Sequence, residues 1–407
     1  MKHWITGTKD PFIFEKKNRI KGEFQDHYGL YIHIPFCKSI CEFCPYQKIL
    51  YSKERMESFL KSLHKEIDLL CEDKEKERVS SLYFGGGSPA LLEENLKPLI
   101  EKIYQYFTIE GLIGMEVTPE DVIKPYFKRY LEYINGISIG IQTFSEKGAK
   151  ILKRKVPNQK VIKAELKGLD LKVIDVDLIF GLPEQTWEDL HRDLEMALDM
   201  GATQISVYPF IDFTFAKNSF RPLGPGSKRK MLRKLVEKTE ELGLERTAVW
   251  TFSLPGKDRY SSVTRDEVLG FGPSAVTLTR NQFSVTDFRL ENYKKSLEEN
   301  TLPQALVCDF VEKQRMAYYL FWKGYLGKMT KKEFLNYFGT SLEESYGSKI
   351  KWAKRLGFFQ EDQETYTMTE KGFMLYHEAE QKYTMEYIDK LWGLLKKGEL
   401  PERLELK

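Results

Sequence analysis

Through the first half of the chain, apolar residues come in short runs, and the longer stretches between them repeat an apolar position every three or four residues. The runs LYIHI (30–34), SSLYF (80–84), GMEV (114–117), GISIGIQ (136–142), KVIDVDLIFGLP (172–183) and TQISVYPF (203–210) read as buried strands. The stretches 52–72, 91–107, 120–132, 145–153, 158–168, 186–200 and 228–243 read as helices. In 52–72, Phe59, Leu63, Ile67 and Leu70 fall on one face. Strands alternating with helices at this spacing predict an α/β fold of about six βαβ units on a parallel sheet. The pattern does not separate a closed barrel from an open sheet. Chemistry-bearing residues fall just after the strands, where α/β folds place their sites.

Near residue 300 the texture changes. An aromatic helix over 310–328 is followed by KKEFLNYFG, KIKWAKRLGFF and TYTMTEKGFMLYHE, the order of a winged-helix module. This divides the chain into an N-terminal extension (1–29), a catalytic domain (30–300) and a C-terminal α+β domain (301–407). Packing of the last domain against the catalytic one, as a lid over the site, is the expected use.

Composition narrows the class. With 63 basic and 60 acidic residues the net charge is +3, which gives no reason to expect nucleic acid or a membrane surface as partner. No apolar run approaches a membrane span, and MKHWITGTKDPF lacks the apolar core of a signal peptide, so a cytoplasmic location is expected. Thiols stay reduced there.

Of the chain's five cysteines, Cys37, Cys41 and Cys44 share one short stretch, HIPFCKSICEFCPY (33–46). The spacing Cys-x3-Cys-x2-Cys favours a metal group over disulfides. Zinc with His33 as a fourth ligand is one reading. A four-iron cluster is the other; three thiolates would leave one iron open to a reacting molecule. Cys71 and Cys308 are not placed near the loop by the sequence.

YIHIPFCKSICEFC (31–44) resembles the opening motif of the radical S-adenosylmethionine (SAM) superfamily, in the HemN-like branch that includes oxygen-independent coproporphyrinogen III oxidase. FGGGSPALL (84–92), EVTPE (116–120), SIGIQTF (138–144), LKR (152–154) and VDLIFGLPEQT (176–186) are similar to further segments of that family, in the same order. Thr118, Thr143 and Glu184 depart from its usual Asn, Ser and Gly. The resemblance implies a partial (β/α)6 barrel with a winged-helix-like HemN domain. It also implies a [4Fe-4S] cluster on Cys37, Cys41 and Cys44, with SAM on the open iron, cleaved to a 5′-deoxyadenosyl radical. By it, Tyr31 approaches the sulfonium, Phe43 meets the adenine, and Gly86, Gly87 and Ser88 line the amino-acid end. Glu116, Gln142, Arg154 and Asp177 are further SAM contacts. An electron donor such as flavodoxin or ferredoxin is implied, with a small-molecule or peptide substrate.

The branch contains porphyrinogen oxidases, haem chaperones, haem-degrading enzymes, and methylases or cyclopropanases that use a second SAM. Haem-chaperone relatives carry HNxxYW; here RYSSVTRDE (259–267), followed by GFGPSA (270–275), stands in its place. That points to methyl transfer or cyclopropanation on an unactivated carbon, with Tyr260, Thr264, Arg265, Gly270 and Gly272 as candidate contacts of a second SAM or the substrate. Tetrapyrrole chemistry is the alternative, and a zinc-stabilised winged-helix binding protein lies outside the enzyme class.

Overall fold

The computed structural model describes residues 11–25, 27–72, 75–216, 218–261 and 266–406. Thr264 and Arg265 lie outside the described residues. One large sheet organises the chain. Its strands are β1 (Phe12–Asn18), β2 (Gly29–Ile34), β3 (Ser81–Gly86), β4 (Ile113–Val117), β5 (Gly136–Gln142), β6 (Val173–Phe180) and β7 (Gln204–Pro209). Then come β8 (Glu245–Ala248), β9 (Thr251–Ser253), β10 (Val268–Phe271), β11 (Val276–Leu278), β12 (Gln282–Thr286), β13 (Gln304–Asp309) and β14 (Arg403–Leu406).

Strands β2 to β7 lie side by side in chain order, and each adjacent pair is parallel. They are the six strands of the βαβ pattern, and among the described residues the sheet does not close into a barrel. Their apolar runs are continuous because both faces are covered. The helix Lys53–Cys71 starts on Ser52, whose hydroxyl accepts from the Arg55 amide at 3.2 Å. It buries Met56, Phe59, Leu63 and Ile67. The stretch 120–132 is two short helices, Pro119–Val122 and Pro125–Tyr130, because Pro125 cannot continue the first.

Beyond the six strands, β10 runs parallel to β2 on its open side, with Gly270 opposite Tyr31. Antiparallel β11, β12 and β13 follow, and β1 sits between β13 and β14. The sheet is therefore continuous across residue 300, and the stretch expected to be an extension supplies one of its strands.

A buried ion pair fastens this half. Arg19 pairs with Glu66 and donates to the Gly270 carbonyl. Glu66 also accepts from the Gly272 amide at 2.8 Å and the Tyr293 hydroxyl at 2.7 Å.

The C-terminal module has winged-helix order. Helix Glu312–Leu326 stops at Gly327, φ +73°, and is followed by strand Lys328–Thr330, helices Lys331–Phe338 and Leu342–Arg355, and strands Phe359–Glu361 and Thr365–Met368. It docks through Arg315 Nε to the Thr279 carbonyl (3.1 Å), Tyr337 to Glu267 (2.7 Å) and Trp250 Nε1 to His377 Nδ1 (3.0 Å). Lys328, Met329 and Glu333 border a cavity of about 520 Å3 together with Ser80, Ser81 and Leu112, which lie at the N-terminal ends of β3 and β4. The module thus closes the end of the strands opposite the cysteines, rather than covering them. The last helix, Asp389–Lys397, reaches the cysteine loop, where Lys396 Nζ donates to the Tyr46 carbonyl at 3.2 Å. Among the described residues, no helix is long and apolar enough to cross a membrane.

Candidate functional site

The cysteine loop leaves the C-terminal end of β2. Cys37 closes a short strand, Phe36–Cys37, paired with Ile49–Leu50. The Ile49 amide donates to the Pro35 carbonyl at 2.6 Å and the Tyr51 amide to the Cys37 carbonyl at 3.0 Å, so the loop's two ends are clamped together. Its three thiols are free and half-buried. Lys48 Nζ donates to the Cys44 carbonyl at 2.7 Å. Burial pushes the Cys37 thiol up to about 11, and Cys44 adds to it. A metal group binding there must therefore displace a proton.

His33 does not turn toward the thiols. Its Nδ1 lies 3.2 Å from the Tyr31 hydroxyl and its Nε2 lies 3.1 Å from the Gln47 carbonyl. Both ring nitrogens are engaged, so the zinc set with His33 is not formed. Burial pushes this imidazole down to about 4, so it is neutral. Among the described residues, no three His, Cys, Asp or Glu side chains surround one ion-sized centre. Thiols set apart along a loop suit a group with several metal corners.

The glycine triplet runs directly beside this loop. The Gly87 amide donates to the Ile34 carbonyl at 2.8 Å and the Ser88 amide to the Phe36 carbonyl at 2.7 Å. A Cβ on Gly87 would lie 2.4 Å from the Phe36 carbonyl oxygen, and Gly86 has φ +108°. Only glycine fits this approach. The cradle and the thiols are one local unit, which fits a molecule held against a bound cluster.

Below it, the inner face of the sheet is polar. Glu116 accepts from the Gly86 amide at 2.9 Å and Asp177 from the Ser138 hydroxyl at 2.8 Å. Burial, helped by Asp177, raises the Glu116 carboxyl to about 7; burial raises Asp177 to about 6. Asp175, bonded to the Ser206 hydroxyl at 3.0 Å, is driven well up by burial and by Asp177. Among the described residues their hydrogen-bond partners, the Gly86 amide, Ser138 and Ser206, are neutral. Arg154 lies 3.8 Å from Cys41 Sγ and donates to the carbonyl of Gly140, the residue opposite Asp177 in the sheet, at 3.2 Å. Gln142 closes β5 at φ +70°, a strained conformation for a non-glycine residue. Tyr31 lies over this face, its ring 6.2 Å from Tyr83. Phe43 packs against Leu152, Ile179, Leu182 and Phe210.

Of the remaining candidates, Tyr260 adjoins this face and the two glycines do not. Tyr260 stacks on Tyr83 at 4.4 Å and borders the cavity at the opposite end of the strands. Gly270 and Gly272 are bound internally: the Gly270 amide donates to Thr277 at 3.1 Å, and its carbonyl accepts from Arg19. The Gly272 amide is held by Glu66. Their backbone groups are spent on the fold. Asp175 and Ser206 border the same cavity as Tyr260, which stacks on Tyr83; Asp175, Ser206 and Tyr83 were not expected, and the period-two step from Asp177 to Asp175 is the signal that points to the first.

Residues 31–197, which hold the three-thiol loop, the glycine cradle and the polar inner face of the parallel strands up to Asp177, match the model of the radical SAM superfamily. The chain carries a radical SAM domain, and the relatives it matches are HemN- and HemW-like proteins. It is similar to the heme chaperone HemW of Lactococcus lactis, 26% identical over 375 residues, covering 88% of this chain and 98% of the relative. It is also similar to the oxygen-independent coproporphyrinogen III oxidase of Pseudomonas aeruginosa, 26% identical over 327 residues, covering 71% and 70%. The solved structure of HemN from Escherichia coli shares the fold, with TM-score 0.73 and 20% identity, covering 86% of this chain and 88% of that one.

Proposed function

We propose that this radical SAM enzyme binds a [4Fe-4S] cluster on Cys37, Cys41 and Cys44 and works on a tetrapyrrole or a closely related molecule. The observation that carries the first half is the loop of three half-buried thiols, held against the glycine cradle through the Gly87 and Ser88 amides. When bound and reduced, the cluster supplies the electron that splits SAM into methionine and a carbon radical. The chain's own work is positional. Gly86 and Gly87 admit the amino-acid end of SAM, and Glu116 and Asp177 supply negative charge once a cation draws their protons off. The apolar packing around Phe43 excludes water from the adenine side.

The second half rests on relatives named for haem and for coproporphyrinogen, matched along most of this chain. On that ground the tetrapyrrole reading leads. Methyl transfer or cyclopropanation with a second SAM stands second, favoured by the absence of HNxxYW. Anaerobic reconstitution with iron and sulfide should give about four irons per chain. Reduction with SAM present should then release 5′-deoxyadenosine. A colourless protein without iron would sink the first half. Haem titration without a spectral change, together with no turnover of coproporphyrinogen III, would sink the second. S-adenosylhomocysteine forming with the true substrate would favour the second reading.

A further inference from the structure

The cavity of about 520 Å3 between the strands and the C-terminal module is large enough to hold an organic ligand. Its inner wall is acidic and rich in hydroxyls. Asp175 is buried there, 1% exposed, and the Ser206 hydroxyl reaches its two oxygens at 3.1 and 3.0 Å. A carboxylate accepts up to about four hydrogen bonds, so acceptor capacity remains where Asp175 lines the cavity. Tyr208, 37% exposed on an otherwise buried strand, and Tyr325 add rings to the same wall. The rim has the opposite sign. Arg259 and Lys328 are exposed there. Arg259 meets Glu245 at 2.7 Å, and the rim's own carboxyl, Glu333, is tied to Thr330 at 2.9 Å and Lys323 at 3.5 Å. The wall runs on to the cradle: Tyr260 stacks on Tyr83 at 4.4 Å, and the Tyr83 ring lies 6.2 Å from Tyr31. Along β6, Asp175 and Asp177 are one two-residue step apart, about 7 Å.

We propose that this cavity takes a reduced, metal-free tetrapyrrole, with Asp175 accepting from its pyrrole N–H groups and Lys328 meeting a peripheral carboxylate. The inference rests on the tetrapyrrole reading above and adds the residue that selects among tetrapyrroles. In a porphyrinogen the pyrrole rings tilt independently, their N–H groups converge on one face, and the carboxylates stand at the edge of the macrocycle. That distribution is the inverse of the cavity's: donors meet the buried acceptor and anions meet the exposed cations. A simple amine matches Asp175 but is opposed by the cationic rim. A metallated tetrapyrrole has no N–H left to donate, so it covers the Asp175 carboxyl without satisfying it. One edge of a macrocycle seated on Asp175 falls beside Asp177, which sets a side arm against the proposed SAM site.

The test is anaerobic equilibrium dialysis of the reconstituted full chain, without SAM, against two probes that share one carboxylate periphery. Coproporphyrinogen III carries the N–H groups; zinc coproporphyrin III does not. Asp175→Leu should weaken coproporphyrinogen binding about tenfold or more and leave the zinc complex within about twofold of the parent. Lys328→Gln should weaken both probes by the same factor, about two- to fivefold. Should Asp175→Leu fail to fold, Asp175→Asn, which keeps the shape and removes the charge, carries the same comparison with a loss of about threefold. An equal loss of both probes in the Asp175 variant would overturn the proposal, because Asp175 would then only support the cavity wall. Binding of both probes that Asp175→Leu leaves unchanged would overturn the inference alone. A parent that binds neither probe would overturn the tetrapyrrole reading and this inference with it.

Discussion

Replacing Arg19 by Met tests how the N-terminal strand is tied to the site. Arg19 and Glu66 are among the most buried charged side chains of the protein, at 2% and 0% exposed. Removing one partner of such a pair strands the other charge, at a cost of about 3–5 kcal/mol. Glu66→Leu should cost at least as much, because it also orphans the Gly272 amide and the Tyr293 hydroxyl, each worth about 1–3 kcal/mol when buried and unpaired. Glu66→Gln keeps acceptor capacity for those two donors and should fall below both. The double variant Arg19→Met/Glu66→Leu should cost less than the sum of the singles by about 1–3 kcal/mol, since neither charge is then left alone. Urea midpoints from tryptophan fluorescence give the ordering. Hydrogen exchange at residues 268–276 gives a local reading, because the Gly272 amide is held by Glu66 itself. Additive singles, or an Arg19→Met protein with a parental midpoint and parental exchange, would refute the reasoning.

Three further outcomes follow from the site. The Glu116 carboxyl, raised to about 7, must lose its proton to meet a cation, so SAM affinity should rise about tenfold per pH unit up to about pH 7 and then level; Glu116→Gln should bind weakly and flatten the profile, and a parent profile flat between pH 6 and 8 by equilibrium dialysis would contradict it. Gly87→Ala places a methyl 2.4 Å from the Phe36 carbonyl, so it should cost about 1–3 kcal/mol and lose SAM binding while still loading iron; unchanged SAM binding by dialysis would remove the cradle from the argument. His377, driven down to about 4 chiefly by burial, holds fewer protons folded than unfolded, so the stability it lends is present above about 6.5 and is lost as the pH falls toward 4. The Trp250 contact should therefore loosen in mild acid, read as faster exchange in Glu370–Tyr383; acid-independent exchange there would count against it.

The six parallel strands were legible because each is buried on both faces and reads as an unbroken apolar run. Strand β1, FIFEKKN, was not: it alternates, is half-polar, and pairs with strands nearly three hundred and four hundred residues away. Strands β8 to β12 are three to five residues each, too short to carry a period. Within the site, the thiol loop and the glycine triplet announce themselves because each is contiguous in sequence. Asp175 and Ser206 meet only across two strands, and Gly272 meets Glu66 only through the sheet's long return, so no local pattern contains those contacts. The same limit explains why GFGPSA suggested a ligand loop: its glycines are needed, but for backbone that the fold itself occupies.

The position of β1 sets a clock for synthesis. Glu15 lies opposite Val307 on one side and Arg403 on the other. A strand made among the first residues therefore waits for residue 403 to leave the ribosome, roughly 20–80 s later at bacterial or eukaryotic rates. Both its edges are open to other chains until residues 304–309 emerge, and one stays open until residue 403 does. The loop proposed to hold a cluster is complete by residue 50, long before the strands that pair with β1. A cell making this protein has that interval in which to shield the thiols and keep the waiting strand from pairing elsewhere.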